Sequence, residues 1–171
     1  MTALGSSNMC SLATFNTSSL FGAEILQVNA DHVTNYSFPA IPGWRYTQPS
    51  VEVTNAEFCN VTVTYTHTGQ NESINVEAWL PTTNYNGRLQ AIGGGGWVAG
   101  RFILTYAGMA GAVADGYATV STDAGLGSNA PWTDWILESP GNLNLDALES
   151  FGHTAYHEEV RQIGFRTRDI C

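Results

Sequence analysis

The chain has 171 residues, 43% of them hydrophobic, with six Lys and Arg against fifteen Asp and Glu and a formal charge of −9. That length supports one domain with a sizeable core. The acidic balance argues against nucleic acid, whose binding rests on Lys and Arg neutralising phosphates, and against anionic membrane surfaces. No apolar run is long enough to span a bilayer.

Residues 1–20 hold small polar residues and a Ser11-to-Phe15 stretch with room for one helical turn. Residues 21–50 read as extended and looped chain, with Pro39, Pro42 and Pro49 breaking any regular run. From Cys59 to Thr66 the sequence alternates, Val61, Val63 and Tyr65 on one face and Thr62, Thr64 and Thr66 on the other, the pattern of a half-buried strand. Gly69-Gln70-Asn71 turns it, and Ile74, Val76, Ala78 and Leu80 repeat the alternation, which predicts a hairpin. A second turn at Asn84-Tyr85-Asn86-Gly87 leads to a short strand over 88–92, then to four consecutive glycines, Gly93 to Gly96. A helix is expected from about Phe102 to Ala114 and a compact strand over 117–121. Strand, glycine loop, helix, strand makes a parallel βαβ unit. Residues 124–142 read as a loop, and a second helix is expected over 145–163, with Leu148, Phe151, Ala155 and Tyr156 near one face. An antiparallel hairpin feeding a parallel βα unit is how a mixed α/β sheet commonly begins. A further strand is expected beyond this helix.

Four N-x-Ser/Thr sequons, at Asn16, Asn35, Asn60 and Asn71, tilt the reading toward a glycosylated secreted protein. Met1 to Met9 lacks the basic start and apolar core of a signal peptide, so the start is expected to be processed, mis-assigned or shortened. Of three cysteines, the simplest pairing joins Cys10 to Cys59 in an oxidising compartment and leaves Cys171 alone.

The glycine run suits an anion. Residues without Cβ let backbone N–H groups approach a ligand, and a helix start adds unpaired donors and a positive dipole end. Two ligands fit. Gly94-Gly95-Gly96-Trp97-Val98-Ala99 satisfies the G-x-G-x-x-A dinucleotide pattern, with Asp123 at the next strand end placed for a ribose hydroxyl. Equally, the loop after the third strand of an α/β-hydrolase supplies an oxyanion-hole N–H, and the preceding hairpin fits that reading better. A purely structural glycine turn is the bland alternative. His153 and His157 stand one turn apart, the spacing of a zinc helix, but without the glutamate of the known zinc motifs, so a surface or packing role is expected. Asp115 and Asp123 flank one short strand, roughly 20 Å or more apart at strand rise, too far for a glycosidic pair. Asp123 closes the strand, where an Asx-turn is the bland reading. No serine sits in a G-x-S-x-G frame.

In order and spacing, Cys59-to-Thr64, Ile74-to-Pro81, Tyr85-to-Arg88, Gly93-to-Gly100, Gly116-to-Gly125, Trp135-to-Pro140 and His157-Glu158 together resemble the tannase and feruloyl esterase family of α/β-hydrolases. The resemblance implies the N-terminal part of an α/β-hydrolase fold, with an N-terminal segment over 1–58, a partial core over 59–163 that stops before the nucleophile elbow, and an atypical tail over 164–171. It implies a secreted serine esterase acting on phenolic-acid esters, including those of plant cell walls and tannins. Its Ser, Asp and His would lie outside this chain, which is expected to be inactive alone. Gly95 and Gly96 become the oxyanion-loop candidates, and Trp97 and Asp123 the substrate-pocket candidates. No cofactor is expected in this chain, and the calcium site of the family belongs to a lid domain absent from it. A non-catalytic secreted binder of phenolic ligands is the runner-up, and a dinucleotide-dependent oxidoreductase the third reading.

Overall fold

The computed structural model describes residues 10–15, 21–45 and 48–164. Asn16, Cys171 and the tail beyond Gly164 lie outside the described residues. Five strands, β1 (Ala23–Phe38), β2 (Val53–His67), β3 (Ile74–Pro81), β4 (Leu89–Ala91) and β5 (Ala118–Thr122), form one sheet in the order β1-β2-β3-β5-β4. The first three run antiparallel in succession and β3 is antiparallel to β5. β4 and β5 are parallel and joined through helix α1 (Ile103–Ala114). The predicted hairpin and βαβ unit are both present, and the glycine loop follows β4, the edge strand of the parallel pair.

Alternation explains why this sheet forms. Cys59, Val61, Val63 and Tyr65 of β2 join Ile74, Val76, Ala78 and Leu80 of β3 and Val120 of β5 in one buried cluster. The opposite face of the same strands buries Phe58 and Trp79 beneath Met109, Ala110 and Val113 of α1. Cys10 and Phe15 cover the first cluster, and Cys10 is bonded to Cys59 with Cα atoms 5.5 Å apart. The Ser11-to-Phe15 turn is closed by Phe15 N–H donating to the Leu12 carbonyl.

Four expectations need correction. Residues 23–38 form one 16-residue strand, the longest among the described residues, which ends just before Pro39. β2 begins at Val53 and so runs across residue 58. The expected loop over 124–142 contains a 3-10 turn (Trp132–Asp134) and a small hairpin of β6 (Leu137–Ser139) and β7 (Asn142–Leu143). The helix expected over 145–163 is three pieces: α2 (Leu145–Glu149), a π-turn (Ser150–Thr154) and α3 (Ala155–Gly164). Asn144 starts it as a side-chain cap, its Oδ1 accepting from Ala147 N–H at 3.1 Å. At the π-turn the Ser150 hydroxyl donates to the Ala124 carbonyl at 3.0 Å, pinning the helix to the end of β5.

Candidate functional site

The glycine run folds back on itself. Gly95 to Val98 form a tight turn, with Val98 N–H donating to the Gly95 carbonyl at 3.3 Å. Gly96, second in the turn, has φ +63. At Gly94 a Cβ would overlap the Val98 carbonyl oxygen and the Ala99 backbone, so only glycine fits there. The two central residues, Gly96 and Trp97, leave their N–H groups without an acceptor among the described residues. Gly95 and Gly96 are therefore brought together in one backbone turn.

The turn is held from below. Tyr156 of α3 donates its hydroxyl to the Ala99 carbonyl at 2.9 Å, and the Gly94 N–H faces the Tyr156 hydroxyl oxygen. Burial, followed by the charge of Glu159, raises the Tyr156 pKa against the lowering effect of that N–H. Thr105 of α1 donates to the Gly93 carbonyl at 3.3 Å. Helix α1 starts at Ile103, seven residues beyond Gly96, and its cap, Phe102, makes no side-chain capping bond. The helix end therefore does not abut the glycines directly.

Trp97 is 50% exposed. Its ring stacks on Phe151 of the π-turn, centroids 5.8 Å apart at 26°, and lies 6.3 Å from Trp135. Trp135 and Phe151 complete the triangle at 5.5 Å. An aromatic surface thus borders the loop.

Asp123 is 3% exposed and fully engaged. Its carboxylate accepts from Asn75 N–H (2.9 Å) and Asn75 Nδ2 (2.8 Å), from Gly125 N–H (3.0 Å) and from Arg101 (3.3 Å). The Gly125 bond is the Asx-turn of the bland reading. Arg101, at φ +54 between loop and helix, also binds Glu77 at 3.1 Å. Glu77 in turn accepts from Tyr106 (2.9 Å) and Trp79 (2.9 Å), and burial first, then Glu77, pushes Tyr106 up to about 12. This buried ion network fixes the segment between Gly100 and the helix. Asp115 lies at the other end of β5, 3.4 Å from Arg45. The two aspartates have separate arginine partners and form no pair.

His153 and His157 are exposed on the last helical run. Among the described residues no three His, Cys, Asp or Glu side chains converge to hold a metal ion. A different histidine is engaged: His67 stands between Glu72 (Nδ1, 2.7 Å) and Glu158 (Nε2, 3.1 Å), and Tyr65 donates to the same Glu158 at 2.7 Å. Burial works to lower the His67 pKa, but Glu158 and Glu72 outweigh it and hold it above its ordinary value. Sequence reasoning missed Tyr156, the Glu77–Arg101–Asp123 network and the His67 pair. The one available signal was charge within otherwise apolar segments, at Glu77 in β3 and Glu158-Glu159 in α3.

A parallel βαβ unit with a glycine turn at the carboxyl end of its first strand defines a protein of the α/β class, in which ligands commonly bind at that end of the sheet. The family described as Tannase and feruloyl esterase matches residues 59–166, and the chain belongs to that family. The chain is 40% identical over 139 residues to a protein named "Probable feruloyl esterase" from Arthroderma benhamiae, covering 80% of this chain and 24% of that protein. It is 33% identical over 110 residues to a protein named "Tannase" from Aspergillus oryzae, covering 63% of this chain and 18% of that one. The chain thus spans about a quarter or less of the curated relatives it matches. No solved structure matches it. The family assignment replaces the dinucleotide reading.

Proposed function

We propose that these residues supply the oxyanion loop of a secreted carboxylic ester hydrolase that acts on phenolic-acid esters. The observation carrying the proposal is the Gly95–Val98 turn at the end of β4, where the N–H groups of Gly96 and Trp97 have no acceptor among the described residues, in a chain of this family. Two preorganised donors at such a turn stabilise the negative charge that develops when an ester carbonyl becomes tetrahedral. The half-exposed Trp97 and its neighbour Phe151 give an aromatic acid a ring surface beside them. In this reading the sheet is the beginning of an α/β-hydrolase, interrupted before the nucleophile elbow.

Catalysis in the whole protein follows the serine route. A serine hydroxyl, its proton taken by histidine, attacks the carbonyl carbon, the alcohol leaves with that proton, and water releases the acid from the acyl-enzyme. Ser, His and Asp are supplied from outside these 171 residues, and this chain alone is inactive. The test is incubation of the purified chain with methyl ferulate and a p-nitrophenyl ester. The expected result is no turnover above buffer; hydrolysis abolished by a serine-directed inhibitor would overturn the proposal.

A further inference from the structure

The three sequons within the described residues occupy unlike settings. Asn60 lies inside β2, paired with Asp31 of β1 and Trp79 of β3, and its amide oxygen is enclosed without a partner. Asn35 is exposed where the β1 register shifts, at φ 55. Asn71 is exposed in the turn between β2 and β3, and it lines a cleft of about 360 Å³ at the carboxyl end of β5.

The chemistry of that cleft narrows its occupant. Asn71, Glu138 and Asp146 line it, and none makes a side-chain hydrogen bond among the described residues. Leu126 and Trp135 add an apolar part of the wall, and Trp135 is 8% exposed with its indole N–H unpartnered. The carboxylates do not converge on a metal-binding cluster. Separate acceptors beside an apolar wall suit a neutral ring that offers several hydroxyl donors and one less polar face. A sugar has that chemistry, and the sequon asparagine on the wall provides the means of tethering one there.

We propose that Asn71 carries an N-linked glycan and that this cleft seats its first sugar. In the transfer, Asn71 Nδ2 attacks C1 of the sugar of a lipid-linked oligosaccharide diphosphate. The N–C1 bond forms, the C1–O bond to phosphate breaks, the lipid diphosphate leaves with the electron pair, and the amide proton passes to a base of the transferring enzyme. The proposal rests on the secretory part of the functional reading, not on esterase chemistry. Asn60, by contrast, is bare in the folded protein, because its amide is enclosed against the face of a central strand and leaves no room for a sugar.

The experiment expresses the whole chain behind a secretory leader in a eukaryotic host and reads total cell extract, so that secretion yield does not enter. Glycans are released enzymatically in heavy-oxygen water, which marks each formerly occupied asparagine, and peptides of the Cys10–Cys59-bonded fraction are mapped by mass spectrometry. The mark is expected at Asn71 and not at Asn60; an unmarked Asn71 or a marked Asn60 overturns the proposal. A second arm trims the glycan to one sugar. The trimmed protein should melt about 3 °C or more above the Asn71→Gln variant, a shift on the order of 1 kcal/mol. In a Glu138→Ala, Asp146→Ala background that gain should vanish. A trimmed protein that melts with Asn71→Gln, or a gain that survives in the double variant, overturns the seat. No arm measures ester turnover, so failure here is separate from failure of the esterase proposal.

Discussion

At Gly94 and Gly96, two glycines of one run do different work. A Cβ at Gly94 would run into the Val98 carbonyl and the Ala99 backbone, which cannot rotate aside as a side chain could. At Gly96 nothing lies within 4 Å of a Cβ, and only its positive φ is costly. Gly94→Ala should therefore lose about 3 kcal/mol by forcing the loop open, and Gly96→Ala about 1 kcal/mol from left-handed strain alone. Urea denaturation of both variants measures the difference, and equal losses would contradict the turn geometry. The run of four glycines was legible as an anion-holding loop. That its second member is a steric requirement was not, because the clash depends on Val98 and Ala99 folding back over it. Asp123 shows the reverse: its place at a strand end was readable, while its four donors come from Asn75, Gly125 and Arg101, which only the sheet brings together.

Among the elements, β1 shows why a long strand escaped the sequence. Ala23, Ile25, Val28 and Ala30 pack on one core cluster, but the register shifts between Ile25 and Gln27 and leaves Leu26 52% exposed. Val33 faces the other cluster, and two further shifts beyond it keep Tyr36 and Phe38 there. Each bulge resets the period of two, so no single alternation survives across 16 residues. β2 and β3 pair with each other without a register shift, and their hairpin was legible although the start of β2 was not. The helical run from 145 to 164 was misread for a related reason: a π-turn rotates one helical face against the next and carries no composition signal. What α3 buries is also unusual. Glu158 is satisfied by Tyr65 and His67, but Glu159 is 1% exposed with one oxygen unpartnered, and burial pushes its pKa up to about 8. Glu159 and His67 are both raised on folding, so each holds its proton more tightly in the folded state. The stability they confer is complete below the unfolded values and is lost as pH rises through the folded ones. For Glu159 that window runs from about 4.5 to about 8, and the loss is on the order of a few kcal/mol. Glu159→Gln, neutral at every pH, should match the wild type near pH 5 and melt several degrees above it near pH 8.5. Melting curves across that range check the sign; parallel curves would mean that Glu159 does not ionise in this environment.

Over the whole molecule, the covering of the sheet is uneven. The outer strand β1 is interrupted by three register shifts, a common defence of an exposed edge. β4, at the opposite edge, has only three residues and among the described residues pairs on one side alone, with β5. Parallel strands are ordinarily covered on both faces and rarely left at an open edge. Large apolar side chains add to this. Trp97, Ile103, Trp132 and Leu145 are each about half exposed or more. Unpaired backbone and apolar surface together favour contact between copies, and a charge of −9 opposes it only at low salt. The isolated chain should therefore self-associate as concentration rises, more strongly at 0.5 M than at 0.05 M salt, with sedimentation velocity as the measurement. Replacing Trp97 and Ile103 with lysine should shift the distribution toward monomer by removing apolar surface while leaving β4 intact. A wild-type chain that sediments as a monomer at every concentration, and melts in one sharp transition, would show that β4 and these side chains are stable against water. In that case the 171 residues would form a self-sufficient domain, with no need of further strands to cover β4.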